Sequence, residues 1–234
     1  MSLLFRVAFF TGCVALIYSC SPIKKYQQDP GVLSWEKHIR EFEKKDSLQS
    51  DPDHAILFTG SSSIRLWSSL EEDMTPFPVI QRGYGGAHLT DFAVYCKRII
   101  YPHQFDAMVL FVANDIAGQK QDREPEEVLK LFNYIVKQVR KKYSTQPIFF
   151  IEITPTNSRW KAWDKISAAN ALVRKKCLNT KGLYFIETAS AFLGEDGKPM
   201  SNLFREDQLH LNKDGYAIWT RLIKNELAAV LGNR

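Results

Sequence analysis

Two periods of apolar residues take turns along this chain. Short, nearly unbroken apolar runs occupy residues 55–59, 79–81, 107–112, 147–153 and 183–186, most of them flanked by Gly, Pro or Asp. Runs of this length are too short for a core helix and predict buried strands. Between and after them the apolar residues recur at helical spacing, which predicts helices over 64–70, 89–100, 125–143, 160–178 and 212–231. The long helix at 125–143 opens on Pro125, Glu126 and Glu127, acidic residues that suit the positive end of a helix dipole. A further amphipathic helix is predicted over 35–48, with Trp35, Ile39 and Phe42 on one face among many charges. Strands that alternate with helices build an open parallel sheet covered on both faces. Right-handed crossovers then make a flavodoxin-like, three-layer α/β/α sandwich with five parallel strands the expected fold. No internal repeat or low-complexity tract interrupts the pattern, and 234 residues suit one core rather than two.

The first residues stand outside this pattern. Arg6 precedes an apolar run over 7–18, shorter than the roughly 20 residues that span a bilayer. The run ends at Ile17-Tyr18-Ser19-Cys20, which resembles the lipobox of bacterial lipoproteins: a branched apolar residue three before the cysteine and a small one just before it. Tyr18 is bulkier than the middle position usually holds. The resemblance implies a signal peptide over 1–19 and a lipidated Cys20. It also implies a protein held on a membrane of the bacterial cell envelope, outside the cytoplasm, through its acyl chains alone. Residues 20–31, polar and containing a proline, then read as a tether, and 32–234 as the folded domain.

Composition adds little to this and removes some options. The formal net charge is +5, but its lysines and arginines are scattered, with the main cluster (Lys137, Arg140, Lys141, Lys142) on one helical stretch. Such a surplus reads as solvated helix faces, and no nucleic-acid partner is expected. Cys13 and Cys20 belong to the leader, which leaves Cys96 and Cys177 inside helical patterns as buried thiols. No cysteine–histidine cluster suggests a metal.

Ligands of open parallel sheets bind beyond the carboxyl ends of the strands. There the sequence places Gly60-Ser61-Ser62-Ser63, Gly83-Tyr84-Gly85-Gly86-Ala87-His88, Asn114-Asp115 and, before the last helix, Asp207-Gln208-Leu209-His210. Each alone has a plain structural account: a capping serine, a glycine turn, an Asx turn, a loop carboxylate. The glycines are no dinucleotide fingerprint, because the third glycine of G-x-G-x-x-G falls at His88. Nor do the serines form a phosphate loop, since no Gly-Lys-Ser/Thr follows. Together the four clusters supply what acyl transfer needs. These needs are a hydroxyl nucleophile, an imidazole to take its proton, a carboxylate to orient that imidazole, and donors for an oxyanion.

In this order the clusters resemble the SGNH hydrolases, also called GDSL-like lipases or esterases, from about residue 55 to the end. Gly60-Ser61-Ser62 resembles the family's G-D-S block, with Ser61 in place of the aspartate, as in a branch whose block reads G-S-S-S-I-R-L-W. Gly83-Tyr84-Gly85-Gly86 resembles the second block, Val112-Ala113-Asn114-Asp115 the G-x-N-D block with Val112 for its glycine, and Asp207-Gln208-Leu209-His210 the D-x-x-H block. The resemblance implies Ser62 as nucleophile, with His210 and Asp207 completing a triad. It also implies an oxyanion hole from Ser62, Gly86 and Asn114, with Gly85 as the alternative to Gly86, and no metal or cofactor.

Two features are left open. His88 either touches substrate or simply starts a helix. Trp160 and Trp163, with Asn157 and Arg159, either line a sugar-binding cleft or pack the following helix, packing being favoured. His38, His54 and His103 fall outside every block. The expected activity is hydrolysis of a small O-acyl ester, acetyl foremost, on a carbohydrate, without cofactor. The alternatives are a lysophospholipase or thioesterase on longer chains, and a non-catalytic carbohydrate-binding lipoprotein on the same scaffold. Turnover of a short chromogenic ester separates the enzymes from the binding protein.

Overall fold

The apolar runs pair into one parallel sheet of order β2-β1-β3-β4-β5, with β1 Ile56–Gly60, β2 Val79–Gly83, β3 Ala107–Phe111, β4 Ile148–Ile151 and β5 Leu183–Ile186. This computed structural model describes residues 23–232, so the leader 1–19 and Cys20 lie outside the described residues. Every residue of β1, β3 and β4 is buried, because these three interior strands are covered on both faces. The edge strands β2 and β5 keep partly exposed positions. The chain runs from β1 out to β2 and returns past β1 to β3, so the strand order reverses between β1 and β3. That reversal opens a crevice at their carboxyl ends.

The helices are α1 Pro30–Leu33, α2 Glu36–Asp46, α3 Ser62–Arg65, α4 Leu70–Met74, α5 Leu89–Ile100, α6 Pro125–Lys142, α7 Trp163–Leu178 and α8 Lys213–Leu231. α5, α6 and α7 lie side by side, with α1 and α2 packed on α5, while α4 packs against α8. The three-layer sandwich expected from the sequence is the observed architecture.

Three stretches differ from the pattern-based reading. The helix expected over 64–70 is broken into α3 and α4. The reason is Trp67, whose indole is fully buried, stacks on Tyr216 at 4.9 Å and donates to Asp73 Oδ2 at 2.6 Å. Ser69 Oγ donates to the same oxygen at 2.7 Å, so the chain is held out of helical register there. The helix expected over 160–178 starts as a 3-10 turn, Asn157–Ala162, before α7. Finally, the stretch read as a tether is folded from residue 23 onward. Ile23, Tyr26 and Val32 are buried in the core, Asp29 caps α1, and Arg123 Nη1 donates to the Tyr26 hydroxyl at 3.1 Å. Cys96 and Cys177 are buried and unpaired, and burial pushes both thiols up to about 12.

A buried charge cluster fastens α2 to the sheet. Arg82 of β2 donates twice to Asp46 Oδ1, at 2.8 and 2.5 Å, with side chains only 5% and 9% exposed. His103 is wedged between Asp51, at 2.9 Å, and Asp46, at 3.6 Å. Removing one partner strands a buried charge, so Asp46→Ala is expected to lower unfolding free energy by roughly 3–5 kcal/mol. Arg98 also ties α2 to α5 through Glu36 and Glu43, but its side chain is 36% exposed. Arg98→Ala should therefore cost no more than about 1 kcal/mol. Urea melts of both variants check the contrast; equal losses would overturn it.

Candidate active site

β1 ends where its backbone almost touches β3. Gly60 has φ +130°, and a Cβ there would lie 1.9 Å from Phe111 O. Only glycine fits that approach. The chain then turns at once, Ser61 N–H donates to Phe111 O at 2.8 Å, and α3 opens at Ser62. Ser62 is thereby placed at the crevice, half-buried, while its neighbours Ser61 and Ser63 are buried.

The loop before α8 reaches the same point. Asp207 Oδ1 accepts from the N–H groups of Leu209 and His210, both at 2.9 Å, which closes a tight Asx turn. Gln208 takes the positive φ of 53° that this turn needs, and its backbone carbonyl accepts from Ser158 N–H at 3.1 Å. Asn157 Nδ2 donates to Gln208 Oε1 at 2.9 Å, so the 3-10 turn after β4 clamps the loop. The result is a line of three side chains: His210 Nδ1 lies 2.6 Å from Asp207 Oδ2, and His210 Nε2 lies 2.9 Å from Ser62 Oγ. Burial pushes the Asp207 carboxyl up, but the His210 imidazole and the two N–H groups outweigh it and hold its pKa at about 2. The carboxylate is thus ionised at any working pH, and an ionised carboxylate on Nδ1 leaves Nε2 to accept from the Ser62 hydroxyl.

Asn114 follows β3 on the other side of Ser62. Its Nδ2 donates to Ala87 O at 2.8 Å, and its Oδ1 accepts from Arg159 Nη2 at 2.5 Å. Arg159 Nη1 donates to Ala113 O at 2.6 Å. The guanidinium and Ala87 O together fix which end of the amide is which, leaving the second N–H of Nδ2 for a ligand. Desolvation lowers the Arg159 pKa, opposed by Asp122 and Asp115. Asp115 is buried and accepts from Leu89 N–H at 2.8 Å, which fixes the start of α5. Of the two candidate glycines, Gly85 sits against the Arg65 side chain, while Gly86, at φ +69°, is exposed on the cleft beside Asn114.

Beside Ser62 lies a small cavity lined by Phe111, Ala113, Ile153, Leu211 and Trp219 and by the polar Thr154, Thr156, Arg159, Asn114 and His210. Its volume is about 20 Å³, on a measure by which one water needs roughly 10–15 Å³. Trp219 is fully buried and packs edge-on to Phe111 at 4.7 Å, so the floor is firm.

A family model for GDSL-like lipases and acylhydrolases matches residues 46–218. The chain belongs to the GDSL-like lipase/acylhydrolase family. Hydrolysis of esters is the activity class that this membership implies. Solved structures share the fold. A Streptococcus pneumonia protein provisionally named a platelet activating factor matches with a TM-score of 0.73 at 21% identity, over 84% of this chain and 94% of its own. A GDSL-like lipase from Bacteroides thetaiotaomicron matches at 0.69 and 15%, over 82% and 97%. A carbohydrate esterase family 3 protein from Talaromyces cellulolyticus matches at 0.58 and 13%, over 76% and 97%. No curated protein matches the chain.

In this GDSL-like hydrolase the remaining sequence candidates sort as follows. His88 is the residue before α5, with its N–H on the Asp91 carboxylate at 3.1 Å, and its side chain also lines the cleft beside Asn114. Trp160 and Trp163 stack on each other, 6.0 Å apart, and neither walls the cavity at Ser62. Sequence reasoning placed Arg159 at the rim but not its grip on Asn114. The signal available was its position shortly after β4, where a long cation can reach back across the crevice.

Proposed function

We propose that this GDSL-like hydrolase is a serine esterase that removes short acyl groups, acetyl foremost, from hydroxyls of a carbohydrate. The reading is carried by the aligned Ser62, His210 and Asp207 opening onto a cavity of about 20 Å³. Ser62 Oγ attacks the ester carbonyl carbon while His210 Nε2 takes its proton. The oxyanion is held by Asn114 Nδ2 and by the N–H groups of Gly86 and Ser62. Collapse breaks the bond to the alcohol oxygen, which leaves with the proton from His210 Nε2. Water then gives a proton to the same nitrogen and attacks the acyl-enzyme, releasing the acid and regenerating Ser62. Asp207 stabilises the imidazolium throughout and does not itself take up a proton.

The acyl end of the site favours a small group. A fatty chain would have to displace Phe111 and Trp219, which are 5% and 0% exposed. On p-nitrophenyl esters from two to sixteen carbons, kcat/KM is expected to peak at acetyl and fall by butyryl. A peak at eight carbons or beyond would discard the short-acyl reading in favour of a lysophospholipase.

The same reading places the enzyme on a membrane of the cell envelope through lipid on Cys20, which lies outside the described residues. Cys20→Ser should abolish labelling by a palmitate analogue and release the protein from membrane fractions. Retained labelling would sink the anchor.

A further inference from the structure

The N-terminal segment just ahead of the family-matched residues 46–218 is built into the crevice. A cleft of about 350 Å³ has Asp29, Ser34 and Trp35 on one side and Gly86, His88 and Arg123 on the other. A second cleft of about 330 Å³ shares Gly86, His88 and Gln121 with it and reaches Asn114 and Arg159. Those last two also line the cavity at Ser62. Shared lining residues thus link the three hollows into a trough from Ser62, by Asn114 and Arg159, to Gly86 and the Trp35 indole.

We propose that this trough is the leaving-group subsite and takes a neutral sugar residue, with the Trp35 indole as its apolar wall. The inference rests on the esterase reading and deepens it. With the carbonyl oxygen at Asn114 and the acyl group in the small cavity, the alcohol side of the ester projects into the trough. The lining carries Asp29, Asp91, Asp115 and Asp122 with Arg123, Arg159, the Gln121 amide and the His88 imidazole. Asp91 and Asp115 are buried, and the two carboxylates left to the cleft are matched by the two guanidiniums. An ionic ligand would call for an excess of one charge sign, and an alkyl chain for apolar lining on every side, whereas here the indole faces mostly polar side chains. A sugar uses the set as it stands: its hydroxyls both donate and accept, and its C–H face lies on an indole.

The wall is pre-organised. Trp35 is half-buried, packed 5.2 Å from both the Tyr84 and the His38 ring centroids. Asp29 caps α1 at 2.8 Å, and Glu36 is bound to Arg98 at 2.7 Å. Gly86 lies close against the edge of the indole, where a Cβ would come within 3.3 Å of Trp35 Cζ2.

The test compares kcat/KM on monoacetylated methyl glycosides with kcat/KM on p-nitrophenyl acetate, for the full chain and for Trp35→Ala, Trp35→Phe and Gln121→Ala. The sugar-to-nitrophenyl ratio is expected to fall at least tenfold in Trp35→Ala and severalfold in Gln121→Ala. Gln121 is exposed, so its variant does not threaten folding. Should Trp35→Ala fail to fold, Trp35→Phe retains the packing, and a lowered ratio is expected there too. An unchanged ratio in these variants, or equal loss on both substrates, overturns the subsite. Calorimetric titration of Ser62→Ala with the same acetylated glycosides reads the subsite without turnover. Kd should weaken severalfold when Trp35→Phe is added, and an equal Kd overturns the proposal. Intact binding in a chain that cleaves no ester would leave the subsite standing and sink the esterase reading instead.

Discussion

Ser62→Ala is expected to lower ester turnover by a factor on the order of 10⁴–10⁶ and to abolish labelling by a fluorophosphonate. Its hydroxyl is the one 2.9 Å from His210 Nε2. Without a base at that distance a serine hydroxyl is too weakly nucleophilic to attack an ester. The flanking serines make the test selective. Ser61 and Ser63 are 1% and 8% exposed, so neither presents its hydroxyl at the crevice as Ser62 does. Ser61→Ala and Ser63→Ala should therefore keep the label. His210→Ala should cost about as much as Ser62→Ala, and the double variant little more, because the two act as one unit. Full stoichiometric labelling of Ser62→Ala at the crevice would place the nucleophile elsewhere.

How much of this was legible beforehand follows from what sets each feature. β5 and α5 fall on the residues where the apolar pattern puts them, since local periodicity and a flanking Gly or Asp decide them. The four polar clusters were visible because the end of a parallel strand fixes where its next residues go. What pattern reading missed depends on partners distant in sequence. The break between α3 and α4 comes from Trp67 meeting Tyr216 and Trp219, some 150 residues on. Residues 23–31 look like a polar tether because only Ile23 and Tyr26 are buried there, too sparse to register as a periodic face. Arg159 holds Asn114 across 45 positions, and no spacing rule announces such a contact. The wall formed by Trp35 was hidden for a related reason. Its place on an amphipathic helix accounts for an aromatic residue without any ligand.

Asn114→Ala should lower kcat by roughly 10²–10³ with KM little changed, since in the proposed mechanism its amide N–H is used chiefly when charge develops on the carbonyl oxygen. Loss confined to KM would make Asn114 a substrate-binding residue instead. The amide serves only with its nitrogen toward the crevice, and the Arg159 guanidinium on Oδ1 at 2.5 Å and Ala87 O on Nδ2 set that orientation. Arg159→Met removes a charged hydrogen bond worth about 1.5–3 kcal/mol and leaves the amide held only by its Nδ2 bond to Ala87 O, so it is positioned less firmly. The expected cost is a fall in kcat of roughly tenfold to a hundredfold. Arg159→Lys should recover only part of it, because one ammonium cannot span Ala113 O and Asn114 Oδ1 as the planar fork does. If Arg159 acts on kcat through Asn114, then in an Asn114→Ala background Arg159→Met should lower kcat no further. Additive losses in that double-mutant cycle would mean that Arg159 meets the reacting ester directly, and its role as a positioning residue would fall.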